Sequence, residues 1–247
     1  MTAPAPILTF DSLDSTNAEA RRRASAGEGG PVWITAAVQT AGKGRRGRAW
    51  STEAGNLAAT LLFTTGRPPA EAAQVSFVAA LAAAETAQHY VAPGQVRLKW
   101  PNDVVIGGLK VCGILIESGV ADDGGMWMAV GIGLNLAHAP QATERPAAAL
   151  GDFMDHAPPT PARALEVLAD SFARWLARWN GDGFEAIRSG WTDRAEGLGQ
   201  PCIARLDLET IEGIAEGLEA DGALRLRLPD GQARLISAGD VFFTGAG

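Results

Sequence analysis

The spacing of apolar and polar positions predicts three long helices in the chain. A polar, alanine-containing segment begins near Ser15, where Thr16 and Glu19 have the spacing of a capping box, and a group of glycines ends it. An alanine-rich segment with apolar residues at helical spacing follows, and Pro93-Gly94 stops it. Thr160-Pro161 is typical of a helix start, and the segment behind it carries one apolar stripe. The predicted helices cover residues 15–27, 70–90 and 161–180.

Short apolar runs bounded by turn residues predict the strands. They cover residues 32–40, 57–65, 96–100, 104–106, 111–117 and 126–136. The last four runs follow one another closely, so we expect adjacent antiparallel strands joined by reversals at 101–103 and 107–110. Asp103 and Lys110 should then project from turns at strand ends, where functional side chains often lie.

The sequence changes character near residue 198, where short segments with period-two alternation replace the helices. Residues 224–228 alternate Leu and Arg, and Asp-Gly turns lie on either side. We therefore expect a separate small β-barrel at 198–247 behind a larger domain at 1–197. A barrel of roughly 50 residues is most stable when it docks on a larger neighbour. The Ala/Pro-rich stretch at 137–162 is the nearest to a linker.

Length and composition are those of a soluble globular protein. The chain has 247 residues, of which 47 % are hydrophobic and 20 % charged. Neither a cationic, apolar leader nor a run of ~18 apolar residues stands out, so we expect a cytoplasmic protein without membrane contact. Cys112 and Cys202 are interpreted as small core residues. The three histidines share no metal-ligand spacing, so neither a protein-bound metal nor covalent nucleophilic catalysis is expected.

Residues 42–48, Gly-Lys-Gly-Arg-Arg-Gly-Arg, form a basic loop in an acidic chain. Its cations and glycines contrast with a formal net charge of −7 and a pI of about 5.0. Glycine lets the backbone approach a ligand, and arginine offers a planar fork of donors for carboxylate and phosphate oxygens. The loop therefore indicates a site for a small anion, such as an acyl phosphate or a polyphosphate. Nucleic acid is not an expected partner, because the net charge would repel it.

The glycines of the basic loop also spell G-x-G-x-x-G, the dinucleotide fingerprint. That fingerprint should follow a strand directly and open a helix, but a turn-rich stretch and then a predicted strand follow this loop. A Walker loop does not fit either, because no Gly-Lys-Ser/Thr closes the segment. We therefore expect neither a Rossmann site nor a P-loop here.

Five motifs along the chain resemble those of the biotin protein ligases. They are Asp14-Ser15-Thr16-Asn17, Gln39-Thr40-Ala41 running into the basic loop and Trp50, Lys99-Trp100-Pro101-Asn102-Asp103, Lys110-Val111-Cys112-Gly113-Ile114-Leu115-Ile116-Glu117, and Gly131-Ile132-Gly133-Leu134-Asn135. They occur in the family's order and spacing over residues 11–136, whereas the C-terminal barrel fits more loosely. The basic loop combined with Lys-Trp-Pro-Asn-Asp is far more specific than a lone glycine pattern.

The resemblance implies an α+β fold and a two-step ligase reaction. The fold would be a central mixed, mainly antiparallel sheet packed by helices, as in class II synthetases and biotin-lipoyl ligases, plus a small SH3-like C-terminal β-barrel. The biotin carboxylate would attack the α-phosphate of ATP and release pyrophosphate. A lysine of the biotin carboxyl carrier domain of an acyl-CoA carboxylase would then attack biotinyl-AMP. Mg²⁺ would enter with ATP, near Asn102, and a homodimer is expected.

The resemblance also implies roles for individual residues. The implied catalytic residues are Arg45, Arg48, Lys110 and Asp103, the last as a group that helps to deprotonate the acceptor lysine. The implied biotin contacts are Ser15, Thr16, Asn17, Gln39, Gly42, Lys43, Gly44, Arg45, Lys110 and Gly113. The implied ATP contacts are Arg45, Arg48, Trp50, Asn102, Lys110 and Asn135. The basic loop is expected to be mobile in the empty enzyme and ordered over biotinyl-AMP, which water would otherwise destroy.

Two departures from the family and two alternatives qualify this interpretation. Lys43 stands where the family commonly has arginine, which keeps the charge but loses the bidentate fork. Regulatory members carry an N-terminal helix-turn-helix domain, for which we see no room ahead of Asp14. One alternative is a lipoate or octanoate ligase, which shares the fold but lacks this basic loop. The other is a non-catalytic biotin sensor.

Overall fold

A computed structural model describes residues 5–92, 94–122, 124–140 and 146–243. The helices are α1 (Thr16–Ser25), α2 (Pro69–Ala72), α3 (Val75–Gln88), α4 (Pro161–Asp182) and α5 (Phe184–Thr192). The strands are β1 (Ile7–Leu13), β2 (Val32–Gln39), β3 (Leu57–Thr65), β4 (Val96–Lys99), β5 (Asp103–Ile106), β6 (Leu109–Val120), β7 (Met126–Leu134), β8 (Pro201–Arg205), β9 (Thr210–Leu218), β10 (Leu224–Arg227), β11 (Ala233–Ile236) and β12 (Asp240–Phe243). Short 3-10 turns lie at Arg45–Gly47 and Leu150–Phe153.

The first seven strands form one mixed sheet in the order β1-β2-β3-β7-β6-β5-β4. β1 runs parallel to β2, and each of the other neighbouring pairs is antiparallel. The predicted class, a mixed and mainly antiparallel sheet packed by helices, is confirmed. The predicted adjacency of the four strands between residues 96 and 136 is confirmed as well.

Side-chain alternation along the central strands builds a separate apolar layer on each face of the sheet. Trp33 and Leu61 belong to the large core that α3 and α4 cover, whereas their neighbours Ile34 and Leu62 join a smaller cluster with Ala20 of α1. Successive residues of a strand point to opposite faces, so α1 must lie on the face opposite to α3. This arrangement places the beginning of α1 beside the end of β2.

The ends of α1 and α4 show how local signals set the helix boundaries. Ser15 caps α1 by accepting a hydrogen bond from the Ala18 N–H at 3.5 Å, so the helix begins where the sequence predicts it. Thr160 accepts from the Arg163 N–H at 3.3 Å and caps α4 in the same way. α4 extends slightly beyond its predicted end, to Gly183, whose φ of 75° terminates it.

Three elements differ from the prediction. β1 is not predicted, because it is an edge strand whose residues are exposed or half-buried and offer no apolar run. α5 is not predicted either, because it begins directly behind the turn at Gly183 that ends α4. The predicted helix at 70–90 is divided into α2 and α3, since backbone bonds of the i→i+3 type interrupt the helical ladder near Gln74.

The Ala/Pro-rich stretch does not behave as a linker where the structure describes it. The Lys110 N–H donates to Pro146 O and the Ala148 N–H donates to Lys110 O, each at 3.0 Å. The Leu150 N–H donates to Asn135 O at 2.7 Å. Residues 146–150 therefore form an extended segment that pairs with the start of β6. Residues 141–145 lie outside the described residues.

The remaining strands form a second, antiparallel sheet in the order β11-β10-β9-β8-β12. It confirms the predicted small C-terminal β-structure, and its residues lie between 201 and 243. The Trp100 Nε1–H donates to Gly222 O at 3.2 Å, and Arg188 donates to Leu218 O at 3.0 Å, which joins this sheet to the larger unit. Among the described residues, no helix is both long and apolar enough to cross a membrane.

Candidate active site

A cavity of about 310 Å³ lies between the start of α1, the basic loop and the face of the main sheet. It brings together every predicted site residue except Gly42. These residues are Ser15, Thr16, Asn17, Gln39, Lys43, Gly44, Arg45, Arg48, Trp50, Asn102, Asp103, Lys110, Gly113 and Asn135. Sequence segments that are up to about 120 residues apart therefore meet at one place.

The start of α1 forms a polar floor for the cavity, made of Ser15, Thr16 and Asn17 together with Gln39. The Thr16 N–H donates to Gln39 Oε1 at 2.8 Å, and Gln39 Nε2 donates to Thr52 Oγ1 at 3.0 Å. These bonds settle which end of the Gln39 amide is oxygen, because a backbone N–H can only donate. Ser15, Thr16 and Asn17 are all buried, so the floor is shielded from bulk water.

A second set of hydrogen bonds holds the floor from below. Thr60 Oγ1 of β3 lies 2.7 Å from Thr16 Oγ1 and 2.7 Å from Asn17 Oδ1. Asn17 Nδ2 donates to Glu117 Oε2 at 2.8 Å and approaches Leu115 O at 3.4 Å. Neither Thr60 nor Glu117 has a local signal that connects it with α1, so the sequence predicts no site role for them.

The basic loop is a short hairpin closed by backbone hydrogen bonds. The Trp50 N–H donates to Gly42 O at 2.9 Å, and the Gly44 N–H donates to Arg48 O at 2.7 Å. Gly42 is buried and does not line the cavity. A Cβ atom at Gly42 would lie 2.3 Å from Trp50 O, so this glycine is needed for the close approach of the two arms of the hairpin.

The arginines of the basic loop contact the second sheet. Arg48 Nη2 donates to both carboxylate oxygens of Asp240, at 3.0 and 3.1 Å, and Arg46 Nη2 lies 2.6 Å from Asp207 Oδ1. Arg45 Nη1 donates to Asn102 Oδ1 at 3.3 Å and to Gly239 O at 3.5 Å. Burial lowers the pKa of the Arg45 guanidinium below its usual range. The loop is therefore fixed between the two sheets.

Lys110 and Asp103 form an ion pair on neighbouring strands. Lys110 Nζ lies 2.6 Å from Asp103 Oδ1, and the Asp103 side chain is only 1 % exposed. A lysine with its carboxylate partner behind it presents its charge in a defined direction, since the ion pair restricts a side chain that is otherwise flexible. The structure thus joins two residues that the sequence placed only at separate turns.

Trp50 packs on two glycines that face each other across β6 and β7. A Cβ atom at Gly133 would lie 2.3 Å from the Trp50 ring, and one at Gly113 would lie 2.8 Å from it. Lys110 Nζ is 5.4 Å from the centre of the same ring, within cation–π range. Gly133 belongs to the last motif, but no site role was predicted for it, although its spacing from Gly131 along a strand indicates a flat, open patch on one face.

Asn135 follows β7 and lines the cavity, whereas Cys112 of β6 lies in the core. Asn135 Nδ2 donates to Ala148 O at 3.2 Å, which holds the segment 146–150 beside Lys110. Burial raises the pKa of the Cys112 thiol to about 12, so this cysteine stays protonated and is no nucleophile at neutral pH. Cys112 and Cys202 are both buried free thiols, which confirms that they are core residues.

Family comparison agrees with the two sheets and with the cavity. Residues 9–135 match the family described as biotin/lipoate A/B protein ligases, and residues 197–244 match the biotin protein ligase C-terminal domain. The first match includes all five motifs in full and most of the cavity lining. The chain belongs to the biotin/lipoate A/B protein ligase family. The predicted membership is therefore confirmed.

Individual members of the family align with nearly the whole of this chain. It is 45 % identical over 238 residues to a biotin--[acetyl-CoA-carboxylase] ligase of Paracoccus denitrificans, covering 94 % of this chain and 98 % of that one. It is 29 % identical to the bifunctional ligase/repressor of Bacillus subtilis, covering 94 % of this chain but 72 % of that one. The fold matches a biotin protein ligase from Aquifex aeolicus in complex with biotin and ATP, with a TM-score of 0.82 at 22 % identity, covering 97 % of this chain and 99 % of that one.

Proposed function

We propose that this protein is an ATP-dependent biotin protein ligase that forms biotinyl-5'-AMP and transfers biotin to a carrier lysine. The 45 % identical Paracoccus relative, which carries the name biotin--[acetyl-CoA-carboxylase] ligase, supports the assignment. The observation that carries it is the polarity of one cavity, whose lining combines an uncharged polar floor with a group of cations. Such a cavity suits an elongated ligand with a hydrogen-bonding head and an anionic tail.

Strand β6 gives the distance between the two parts of the cavity. Lys110 lies near its beginning, whereas Leu115, whose carbonyl Asn17 approaches, lies five residues further on. A strand rises ~3.3 Å per residue, so these two backbone positions are roughly 16 Å apart. Lys110 Nζ reaches along the strand to 3.0 Å from a Cβ atom built at Gly113, so the charge lies nearer to the polar floor than its backbone does. Biotin would lie along β6 with its ureido ring on the polar floor and its carboxylate toward Lys110. Ser15, Thr16, Asn17 and Gln39 would be its hydrogen-bonding partners, with Lys43, Gly44 and Gly113 beside it.

The first chemical step joins two anions, and the cations of the cavity would make it possible. The biotin carboxylate attacks the α-phosphate of ATP, and the bond to the departing pyrophosphate breaks. Arg45, Arg48 and Lys110 would hold the phosphate oxygens and stabilise the charge that accumulates in the transition state. Arg45 is suited to this role because burial has already removed water from its guanidinium, so a phosphate is its natural counter-ion.

The nucleotide base and Mg²⁺ are given places by the same proposal. Trp50 would offer its ring to the adenine, while Asn102 and Asn135 line the nucleotide end of the cavity. The described residues hold no cluster of three or more His, Cys, Asp or Glu around a metal position. The site therefore fits Mg²⁺ only as a largely hydrated ion that enters on the phosphates, with Asn102 near it, where it would neutralise phosphate charge.

The second step transfers biotin to the acceptor. The ε-amine of a carrier lysine attacks the acyl carbon of biotinyl-AMP, AMP leaves, and the amine loses a proton. Asp103 would accept or direct this proton, since its buried carboxylate lies beside Lys110 in the lining of the cavity. If Asp103→Asn slows adenylation but leaves transfer from preformed biotinyl-AMP unchanged, this role for Asp103 is wrong.

The proposal also includes the acceptor, the location and the assembly of the protein. We propose the biotin carboxyl carrier domain of an acyl-CoA carboxylase as the acceptor, the cytoplasm as the location, and a homodimer as the assembly. Neither nucleic acid nor a membrane is a proposed partner. The edge position of β1, with Ile7 43 % exposed, leaves room for a second copy on that side. Sedimentation of the purified protein with and without biotinyl-AMP tests the dimer. We place the division between the two domains near residue 198.

Pyrophosphate release tests the function directly. The purified protein is incubated with ATP, Mg²⁺ and either biotin or lipoate, and an added carrier domain is then weighed by mass spectrometry. Biotin-dependent release and one biotin mass increment on the carrier are expected. Release with lipoate instead of biotin would favour a lipoate ligase. Biotin binding without any pyrophosphate release would indicate a sensor and would overturn the catalytic roles of Arg45 and Lys110.

A further inference from the structure

Glu117 ends the motif that begins at Lys110, yet it does not line the cavity. It lies on β6, where its carboxylate accepts a hydrogen bond from Asn17 Nδ2 at 2.8 Å. Asn17, in turn, is buried in the polar floor. A charged side chain is thus joined to the ligand cavity through one amide group, across a hundred residues of sequence.

This contact determines which way the Asn17 amide faces. An ionised carboxylate can only accept hydrogen bonds, so the NH₂ end of the amide must point to Glu117. The carbonyl of Leu115, another pure acceptor, lies 3.4 Å from the same nitrogen and favours the same orientation. Asn17 Oδ1 is therefore directed away from β6, toward Thr60 and the cavity.

The hydroxyl protons around Thr60 agree with this orientation. Thr60 Oγ1 lies 2.7 Å from both Asn17 Oδ1 and Thr16 Oγ1, but it has a single proton to donate. Because Asn17 Oδ1 can only accept, the Thr60 proton points to it. The Thr16 hydroxyl has its own acceptor in Gln39 Oε1, at 3.1 Å. A reversed amide would turn its oxygen toward Glu117 Oε2 and the Leu115 carbonyl, which are both acceptors.

The position of Asn17 Oδ1 makes its orientation important for a ligand. A Cβ atom at Gly131 would lie 2.3 Å from this oxygen, and both residues line the cavity. The missing side chain on β7 is thus what leaves space for the amide oxygen at the cavity wall. The floor offers an acceptor at this point, whereas a reversed amide would offer N–H donors.

We propose that Glu117 is a positioning residue that fixes the Asn17 amide so that the pocket presents an acceptor to the N–H groups of a cyclic urea. This inference rests on the proposed placement of the biotin ureido ring on the polar floor. A lipoyl dithiolane ring has no N–H to donate, so an acceptor here gives biotin a bond that lipoate cannot make. Glu117 thereby contributes to selectivity without touching the substrate.

Two substitutions at Glu117 separate its acceptor role from its bulk. Glu117→Met keeps an unbranched chain of similar length but removes the acceptor, whereas Glu117→Gln keeps an acceptor oxygen. Biotin binding is measured by calorimetry in the absence of ATP, and KM is measured for both biotin and ATP. We expect E117M to weaken biotin binding roughly ten- to a hundredfold, and E117Q by less than about threefold. The KM for ATP should stay within about twofold of the wild-type value.

Controls make each outcome decisive. Ser118→Ala, an exposed neighbour on the same strand, should bind biotin as the wild type does, and thermal unfolding confirms that the variants are folded. If E117M does not fold, Glu117→Ala takes its place. Equal losses in E117M and E117Q, or a parallel rise in the KM for ATP, would overturn the positioning role. Normal biotin binding by E117M beside weak binding by Asn17→Ala would overturn it while leaving the polar floor intact. If Asn17→Ala also binds normally, the proposed biotin placement itself is wrong.

Discussion

The polar floor and the basic loop line one cavity, but different forces hold them in place. The floor begins a helix and rests on two strands, and its groups are uncharged, buried or half-buried, and joined by hydrogen bonds. The basic loop is a hairpin outside the regular elements, and ion pairs to Asp207 and Asp240 of the second sheet hold it. The floor is preorganised for a neutral group, whereas the loop has arginines whose present partners are themselves anions.

This difference separates recognition from chemistry. A rigid, dry floor selects a ligand by the direction of its hydrogen bonds, because a mismatched polar group remains unpaired there. A loop held by partly exposed ion pairs is weaker and sensitive to salt, and it can exchange one anion for another. We therefore expect substitutions in the floor to change biotin binding, and substitutions around the loop to change reactions with ATP.

Loss of Lys110 should have the largest effect on the cationic side of the cavity. Lys110→Ala removes the cation that Asp103 holds and leaves the buried carboxylate without this partner. We expect biotinyl-AMP formation to fall by about a thousandfold, the scale seen when a preorganised donor for a developing anion is removed. Biotin-dependent pyrophosphate release measures it. Arg178→Ala, on the exposed face of α4, is the control, and wild-type rates in K110A would contradict the assignment.

A methyl group at Gly133 should act through Trp50. The new Cβ would lie 2.3 Å from the indole, so the ring must move off the sheet. We expect the KM for ATP to rise by roughly ten- to a hundredfold, as for other small misplacements of a binding group. Gly66→Ala is the matched control, because its Cβ would meet open space. Biotin binding without ATP should change much less, and an unchanged KM for ATP would argue against Trp50 as the adenine contact.

Asp240 tests how the basic loop is held. Asp240→Asn weakens the bonds to Arg48 and Arg46, so we expect faster tryptic cleavage at the loop arginines in the empty enzyme. Bound biotinyl-AMP should protect the loop in both proteins, and the KM for ATP should rise only about two- to fivefold, as for a partly exposed ion pair. Glu216→Gln, which lies in the second sheet and pairs with Arg225 and Arg227, is the control. Cleavage that is equal in all three empty proteins would mean that Asp240 does not order the loop.

The smallest expected effect concerns Asp14, just ahead of the polar floor. Hydrogen bonds from Arg22 lower the pKa of the Asp14 carboxyl from 3.8 to about 2. A carboxyl whose pKa is lowered by folding stabilises the native state above its unfolded pKa, and this stabilisation disappears as the pH falls from about 4 to about 2. Because the pair is exposed, we expect less than about 1 kcal/mol. The unfolding temperature of the Asp14→Asn protein should be slightly lower than that of the wild type at pH 6 and equal to it at pH 2. A difference that persists at pH 2 would assign the effect to another cause.

The sequence by itself determined the motifs and most of the local structure. Ser15, Thr160 and the glycine turns act over a few residues, so helix starts and strand reversals could be located without knowing the fold. Lys110, Asp103 and the basic loop could be singled out because their residue types and order are unusual and specific. Every predicted site residue except Gly42 lines the cavity. Gly42 instead serves the closure of the hairpin, and a glycine in that position has the same local signal as one that approaches a ligand.

Only the tertiary structure decided which side chains form hydrogen bonds and ion pairs with those residues. β1 is a strand because β2 lies beside it, and its own sequence has no apolar run. Thr60, Glu117 and Asp240 reach the site from 43, 100 and 192 residues away along the chain. Hydrogen bonds and ion pairs of this kind depend on distances within a few tenths of an ångström and on angles, and the periodicity of the sequence does not predict either. The residue types of the site can therefore be predicted from the sequence. The orientation of their side chains and the pairing of their charges arise only when the two sheets and α1 come together.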